Sequence, residues 1–224
     1  SAREALVAGL VVLALYWFAM LAALGTFFPL FSLYLTENLG LSGTQAGMVT
    51  AALPLAGLLV QPLWGSLADR SGKRVRILAF VTGAAALGYR NLASAHTFPG
   101  VLAATVALAV VSTSVMPLAV SVSMGLVRER GRSAFGMVRS VGTLGYLVAV
   151  SGFPLLLQAF GGHVDAMVAP GATPSEPRLG FMLFVASGFM GTASLLALAL
   201  RSDGAVSLRA GAGDWRRLVV GGPY

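Results

Sequence analysis

The fold of this chain is decided by the segment at residues 65–76. It reads Gly-Ser-Leu-Ala-Asp-Arg-Ser-Gly-Lys-Arg-Val-Arg. Long apolar runs lie on both sides of it, each close to the roughly 20 residues that a helix needs to cross a bilayer. A short basic turn between two such runs indicates two membrane-spanning helices joined by a tight hairpin, with the turn in the cytoplasm.

The composition of the chain is that of a membrane protein. Of its 224 residues, 57% are hydrophobic and 10% are charged, whereas soluble domains carry about 25% charged residues. Cysteine is absent, which excludes disulfides, thiolate metal sites and cysteine nucleophiles within this sequence. The formal net charge of +7 does not indicate a nucleic-acid partner, because the basic residues cluster at the ends of the apolar runs. The partner that this composition indicates is the lipid bilayer.

The apolar runs predict an all-α integral membrane protein with six transmembrane helices in one bundle. Barrel strands are not expected, since they would alternate polar and apolar residues over about ten positions. The predicted spans are Ala5–Leu35, Thr44–Ala68, Val75–Leu92, Pro99–Val127, Ala134–Phe160 and Leu179–Leu200. The bundle is assigned to residues 1–200.

The basic residues predict the orientation of the bundle. They follow the second, fourth and sixth spans, at Arg70, Lys73, Arg74, Arg76, Arg128, Arg130, Arg132, Arg201, Arg209, Arg216 and Arg217. The loops after the first, third and fifth spans are poor in basic residues. Because cytoplasmic loops are the ones enriched in Lys and Arg, both termini are expected in the cytoplasm.

The physical roles of residues 65–76 can be inferred from their spacing. Gly65 and Asp69 lie four residues apart and share a helix face. Gly72 permits the backbone reversal of a tight turn. Asp69 can accept hydrogen bonds from Arg74 or from the N-terminus of a facing helix. The alternative is a generic basic cytoplasmic loop, which leaves Asp69 and both glycines without a purpose.

This segment closely resembles the signature loop between the second and third helices of the major facilitator superfamily. The matching residues are Gly65, Leu67, Asp69, Arg70, Gly72, Lys73, Arg74 and Arg76. The resemblance implies a conformational latch that fastens the two halves of a transporter on the cytoplasmic side. The residues assigned to this latch are Gly65, Asp69, Arg70, Gly72, Lys73 and Arg74.

A second segment, residues 135–146, reads Phe-Gly-Met-Val-Arg-Ser-Val-Gly-Thr-Leu-Gly-Tyr. It resembles a pattern of a narrower group that contains phenylpropionate permeases, nucleoside–proton symporters and, more distantly, lactose permeases. Residues 25–31 of the first span, Gly-Thr-Phe-Phe-Pro-Leu-Phe, support the same group. The resemblance extends over nearly the whole chain, although only these segments and residues 65–76 are specific.

Arg139 is the strongest candidate for contact with a substrate. It lies roughly 9 Å of helix rise beyond Ser133, inside the fifth span. A guanidinium at that depth is costly, and such charges usually face a cavity and mark a substrate path. In one interpretation Arg139 faces the central cavity and makes bidentate bonds to a substrate. In the other it snorkels to the cytoplasmic headgroups or braces the loop through Glu129.

Four further residues are assigned to the substrate site, although helix packing remains an alternative for each. Thr143 and Tyr146 follow Arg139 by one and two helical turns and lie near its face, while Gln61 and Phe27 come from the second and first spans. Lactose permeases pair the motif arginine with a glutamate of the fourth helix. Here residues 119–123 read Ala-Val-Ser-Val-Ser, without a carboxylate, which favours either an anionic substrate or a carboxylate supplied from elsewhere.

The resemblance implies a fold of twelve spans built from inverted three-helix repeats, of which this chain supplies six. The chain is therefore expected to be the N-terminal half of a secondary active transporter in the inner membrane, with residues 201–224 as the start of the central cytoplasmic loop. The missing partner is a C-terminal six-helix bundle. The implied function is alternating-access transport of a small organic solute, an organic anion or a nucleoside-like compound, with proton coupling implied by the family alone.

Two functions of other classes rival transport. One is a non-transporting six-helix scaffold, or a half-transporter that assembles with a partner. The other is an intramembrane enzyme, which would need His, Ser–Lys or paired acidic residues within the spans, and the sequence has none there. We therefore expect no enzyme activity, no cofactor and no metal site.

Overall fold

The computed structural model describes residues 2–127, 132–160 and 179–200, and within these ranges every regular element is a helix. The helices are α1 (Ala2–Leu33), α2 (Gly43–Ser71), α3 (Arg74–Ala93), α4 (Phe98–Val127), α5 (Arg132–Phe160) and α6 (Phe181–Ala199). A π-helical segment, Tyr34–Asn38, extends α1. The predicted all-helical fold with six spans is confirmed. The assignment of residues 201–224 to a cytoplasmic loop lies outside the described residues.

Five of these helices are long and apolar enough to cross a membrane on their own. The exception is α3, in which Arg76, Arg90 and Asn91 dilute the apolar residues. Its 20 residues still rise by about 30 Å, which matches the hydrocarbon thickness of a bilayer. Because α3 packs against both α4 and α6, burial within the bundle, rather than contact with lipid, keeps this helix at membrane depth.

The packing of the helices repeats after three elements. Helix α1 packs against α5 and α6, α4 packs against α2 and α3, and α3 packs against α6. Exchanging α1–α3 for α4–α6 reproduces the same set of contacts, so the two predicted three-helix repeats are present. The neighbours follow one another as α5–α1–α6–α3–α4–α2, which leaves α2 and α5 at the two ends of an arc. Accordingly 17% and 22% of their spans are buried, against 39–44% for α1, α4 and α6.

Glycines bring α1 and α5 into backbone contact. A Cβ on Gly25 would lie 2.7 Å from the Tyr146 carbonyl oxygen, and one on Gly145 would overlap the Phe18 carbonyl. A Cβ on Gly142 would lie 3.0 Å from the Trp17 carbonyl oxygen of α1. Small residues allow this approach, which replaces side-chain packing by direct van der Waals contact between backbones at membrane depth. The segment that carries Arg139 is therefore held tightly against α1.

Serine side chains join α3 to α6. Ser187 Oγ donates to the Ala86 carbonyl and Ser194 Oγ to the Ala79 carbonyl, both at 2.8 Å. The spacing of seven residues is the same on both helices, so the two bonds lie two turns apart along one antiparallel contact. Polar groups in a membrane need such internal partners because lipid offers none.

Candidate functional site

The turn between α2 and α3 has two residues, Gly72 and Lys73. Gly72 ends α2 with φ at +64°, a left-handed conformation that costs other residues roughly 1–2 kcal/mol. The Lys73 backbone N–H donates to Ser71 Oγ at 3.3 Å. Arg74 then opens α3. Glycine at position 72 is thus what lets two membrane-length helices reverse direction over so short a connection.

Asp69 and Arg74 form an ion pair across this turn. Arg74 Nη2 and Nε donate to the same oxygen, Oδ1 of Asp69, at 2.7 and 3.1 Å. A cation in the first turn of a helix opposes the helix dipole, and the carboxylate offsets that repulsion. Among the described residues, Asp69 Oδ2 has no hydrogen-bond partner. The carboxylate, 64% exposed, therefore retains the capacity to accept a further bond.

The other residues assigned to the latch lie at the surface. Arg70 and Lys73 are exposed, and Gly65 is partly exposed. A Cβ on Gly65 would meet nothing within 4 Å, so none of the described helices uses the space that Gly65 leaves. The open flank of Gly65 and the free oxygen of Asp69 leave room for an element from outside the described residues.

Arg139 lies over the indole ring of Trp17. Its Cζ is 5.9 Å from the ring centroid, within the range of a cation–π interaction. Trp17 is fully buried, whereas Arg139 is exposed. The Phe135 ring contacts the same indole edge-on, with 6.1 Å between centroids, and Trp17 Nε1 donates to Ser123 Oγ at 2.9 Å. Helices α1, α4 and α5 thus meet at this tryptophan.

Thr143 and Tyr146 have different environments although both follow Arg139 on α5. Thr143 is exposed one turn later, next to the open flank of Arg139. Tyr146 is partly buried, and its backbone and ring lie against Gly25 of α1. The structure therefore places Thr143 with Arg139 on the open side of α5 and gives Tyr146 a packing contact with α1.

Phe27 lies in the core of the bundle. It is fully buried, and its ring centroid is 4.4 Å from that of Phe31 and 5.0 Å from that of Tyr89. Aromatic pairs at these separations stabilise a core beyond simple burial. In this structure the Phe27 ring packs α1 against α3.

Gln61 donates to a backbone carbonyl that a proline has freed. Pro117 lies inside α4 and has no N–H, so the Thr113 carbonyl four residues earlier loses its helical partner. Gln61 Nε2 of α2 donates to that carbonyl at 3.1 Å. One turn along α2, Trp64 Nε1 donates to the Val110 carbonyl at 2.7 Å. The Gln61 amide is therefore engaged in holding α2 against α4.

Replacing Gln61 by leucine is expected to destabilise the protein only while Pro117 is present. The Gln61→Leu change leaves the Thr113 carbonyl unpaired at membrane depth and should lower the free energy of unfolding by about 1 kcal/mol. In a Pro117→Ala background the restored N–H pairs with Thr113, so the same change should cost almost nothing. A double-mutant cycle on denaturant unfolding of the purified full-length protein measures this coupling.

Trp64→Phe provides the matched control for this cycle. It also removes a donor from α2. The acceptor of this donor is the Val110 carbonyl, and the residue four positions after Val110 is Ser114 rather than a proline. We expect no coupling between Trp64→Phe and Pro117→Ala. Equal coupling in both cycles would show that Gln61 does not act through the carbonyl freed by the proline.

The sequence indicated Arg139 but not what holds it. Trp17 and Ser123 are separated by 106 positions, and no local pattern links them. Pro117 does carry a signal, since a proline inside a helix predicts an unpaired carbonyl at Thr113, but the donor that reaches this carbonyl is set by the packing of α2. Of the residues assigned to substrate contact, the structure brings Arg139 and Thr143 together and leaves Gln61 and Phe27 in separate packing contacts.

Two three-helix repeats of apolar helices, with a basic Asp–Arg turn between α2 and α3 of the first, define a multi-pass membrane protein of the major facilitator type, a class of transporters rather than enzymes. The chain belongs to the MFS_1 like family, whose model matches residues 10–208.

Curated relatives agree with this family. The chain is 34% identical over 139 residues to the maltose permease of Geobacillus stearothermophilus, which covers 62% of the chain and 35% of that permease. It is also 34% identical over 138 residues to the uncharacterized transporter YwbF of Bacillus subtilis strain 168, covering 60% and 33%. A 60-residue match to the lactose permease of Citrobacter freundii is 37% identical and covers 27% and 14%.

These matches span about a third of the length of the first two relatives. No solved structure matches the chain. The resemblance to the narrower group of phenylpropionate permeases and nucleoside–proton symporters stays a prediction.

Proposed function

We propose that the chain is the N-terminal half of a secondary active transporter that moves a small organic solute across a bacterial plasma membrane by alternating access. Both termini of the bundle lie in the cytoplasm, and proton gradients drive the transport. The names of the relatives, a maltose permease and an uncharacterized transporter, support transport as the activity. The placement of basic residues supports the orientation.

The observation that carries this proposal is the position of Arg139. Arg139 belongs to the membrane helix α5. Its side chain is exposed on one flank, and on the other its guanidinium lies over the Trp17 ring. Among the described residues no carboxylate forms a salt bridge with it. An intramembrane charge of this kind is stabilised by a polar or charged partner in a cavity. An organic anion supplies that partner, and it fits the site better than a neutral nucleoside-like compound.

The open ends of the helix arc support a second bundle as the partner. Leu58 and Leu59 of α2 are each 75% exposed, and Leu144 and Val148 of α5 are 57% and 59% exposed. These faces lie on the two helices that this bundle buries least. A second six-helix bundle would pack between α2 and α5, reach the open flank of Gly65, and close a solute cavity over Arg139.

Measuring the uptake of labelled solutes into proteoliposomes tests the proposal. The product of the complete gene is reconstituted, and uptake of labelled phenylpropionate, uridine and maltose is compared with that of protein-free vesicles. We expect saturable uptake of the carboxylate, increased by an inward proton gradient. Uptake of uridine or maltose without uptake of phenylpropionate would show that the substrate is a neutral solute and not an organic anion. Failure of all three, with a gene that encodes no second bundle, would favour the non-transporting scaffold.

Neutralising Asp69 is expected to bias the transporter towards the state open to the cytoplasm. The exposed Asp69–Arg74 pair contributes at most about 1 kcal/mol to stability, so Asp69→Asn should leave folding almost unchanged. A bond of about 1 kcal/mol from Asp69 Oδ2 to the second bundle, made in only one of the two states, would shift their equilibrium about fivefold. Maleimide labelling of a single cysteine at Met137, which is 72% exposed, should become a few-fold faster, in an otherwise cysteine-free full-length protein.

Arg76→Gln is the matched control for this prediction. Arg76 is an exposed cation two residues after Arg74, and its loss changes the charge of the same region by one unit. We expect the labelling rate at position 137 to stay at the parent value in this variant. An Asp69→Asn protein that labels at the parent rate would remove Asp69 from the latch.

A further inference from the structure

We propose that Trp17 and Ser123 are positioning residues for Arg139. In this arrangement Ser123 fixes the indole of Trp17, and the indole holds the guanidinium by one face, so that its N–H edge is presented to a planar carboxylate. The part of this proposal in which Arg139 binds a carboxylate rests on the proposed function, because it concerns the same site. The positioning of Arg139 can be tested without any solute.

The indole is fixed by contacts from two neighbouring helices, α4 and α5. Ser123 Oγ donates to the Ala119 carbonyl at 2.6 Å, so its own proton is already committed and the oxygen accepts from Trp17 Nε1. Phe135 packs edge-on against the ring. A Cβ on Gly142 would lie 3.1 Å from Trp17 Cβ, so the α5 backbone closes against the start of the side chain. The ring therefore has a single orientation in the bundle.

The contact between Arg139 and Trp17 leaves the donors of the guanidinium free. A cation over an aromatic face is attracted by the ring quadrupole and uses no N–H for that contact. The five N–H groups lie in the guanidinium plane and match the two oxygens of a carboxylate. Without the ring, a long arginine side chain would extend towards the cytoplasmic headgroups. The ring thus keeps Arg139 at membrane depth in a geometry that suits bidentate binding.

A second cation–π pair in the same bundle provides the comparison. Arg90 of α3 lies 5.1 Å above the ring of Phe184 on α6. Phenylalanine has no N–H, so that ring cannot be fixed by a hydrogen bond. Arg90 also belongs to a helix pair, α3 and α6, that carries neither Trp17 nor Ser123, and it serves as an internal reference for any change in overall accessibility.

The first experiment measures how fast phenylglyoxal modifies Arg139 in the full-length protein, with adducts quantified by peptide mass spectrometry. In Ser123→Ala the indole loses its acceptor, and modification of Arg139 should become about threefold faster because a cation–π contact is weakened. Ser123→Thr keeps the hydroxyl and should restore the parent rate. Trp17→Leu should give an increase at least as large. The rate at Arg90 should be unchanged throughout.

The second experiment uses sodium propionate as the probe of the anion site. Propionate should protect Arg139 from phenylglyoxal, whereas propionamide, its neutral isostere, and sodium chloride at equal ionic strength should not. The half-protecting propionate concentration should rise about fivefold in Ser123→Ala and return to the parent value in Ser123→Thr.

The two experiments separate the two ways of failing. If Arg139 reacts at the same rate in parent and Ser123→Ala proteins, the positioning role is overturned, even if propionate protects. If the rates differ as expected but propionate never protects the parent protein, the positioning role stands and the anion-binding part of the proposed function fails. Ser123→Ala is the decisive variant because it preserves the buried indole, so that a folding defect of Trp17→Leu cannot obscure the result.

Discussion

Gly145→Ala is expected to lower the melting temperature of the full-length protein by about 10 °C. The added Cβ would overlap the Phe18 carbonyl oxygen and lie 3.0 Å from the Phe18 carbonyl carbon and Cα. All three atoms are backbone, so no side-chain rotation relieves the overlap. Helices α1 and α5 must move apart, at a cost of roughly 3 kcal/mol. In domains of this size each kcal/mol corresponds to about 2–4 °C.

Gly152→Ala on the same helix is the control. A Cβ at Gly152 would meet nothing within 4 Å, and the gain in helix propensity is the same in both variants. Differential scanning fluorimetry of the two purified proteins should show a loss at position 145 and no loss at position 152. Equal melting temperatures would mean that α1 and α5 do not cross as closely as the structure shows.

Arg139→Lys is expected to reduce uptake of an anionic solute by about 100-fold at low solute concentration. Lysine keeps the positive charge but replaces a planar, bidentate donor set with a point charge. Losing one charge-assisted hydrogen bond costs about 1.5–3 kcal/mol, and every 1.4 kcal/mol is tenfold. The measurement is the initial rate of phenylpropionate counterflow in proteoliposomes, normalised to the amount of reconstituted protein.

This variant separates the two interpretations of Arg139. If the side chain only snorkels to the headgroups or braces the cytoplasmic loop, lysine performs the same role and uptake is retained. Glu129, the proposed brace, lies outside the described residues. Arg90→Lys provides the control, because it makes the same replacement at a cation–π pair away from Trp17 and should transport at the parent rate.

The helices and the turn could be predicted because their causes are local. Each span follows from the length of an apolar run, and the bounds of α4, Phe98–Val127, differ by one residue from those expected. The reversal at Gly72 follows from a glycine between a helix end and a basic run. Even α3, the least apolar span, was predicted from its apolar run, Val75–Leu92, and the observed helix is Arg74–Ala93.

The assignment of residues to a substrate site stays a prediction, and the sequence could not say which of them lie together because they belong to different helices. Arg139 stands out in the sequence as a charge inside an apolar run. Phe27 stands out as an aromatic residue of the segment at residues 25–31, and Gln61 as a polar residue inside the second span. The structure packs Phe27 against Tyr89 and commits the Gln61 amide to Thr113. The sequence shows which functional groups a side chain carries. The residues that pack against it in the fold decide whether those groups are available to bind a solute.

By itself the sequence determined that this chain forms six membrane helices with a basic, glycine-terminated turn after the second, since hydrophobic length and turn conformation depend on residues close together in the chain. Only the tertiary structure decided that Trp17 donates to Ser123, that Arg139 lies over the Trp17 ring, and that Gln61 pairs with the carbonyl freed by Pro117. These contacts join residues 106, 122 and 52 positions apart. They exist because the helices pack in one particular order, with glycines allowing α5 to lie directly on α1.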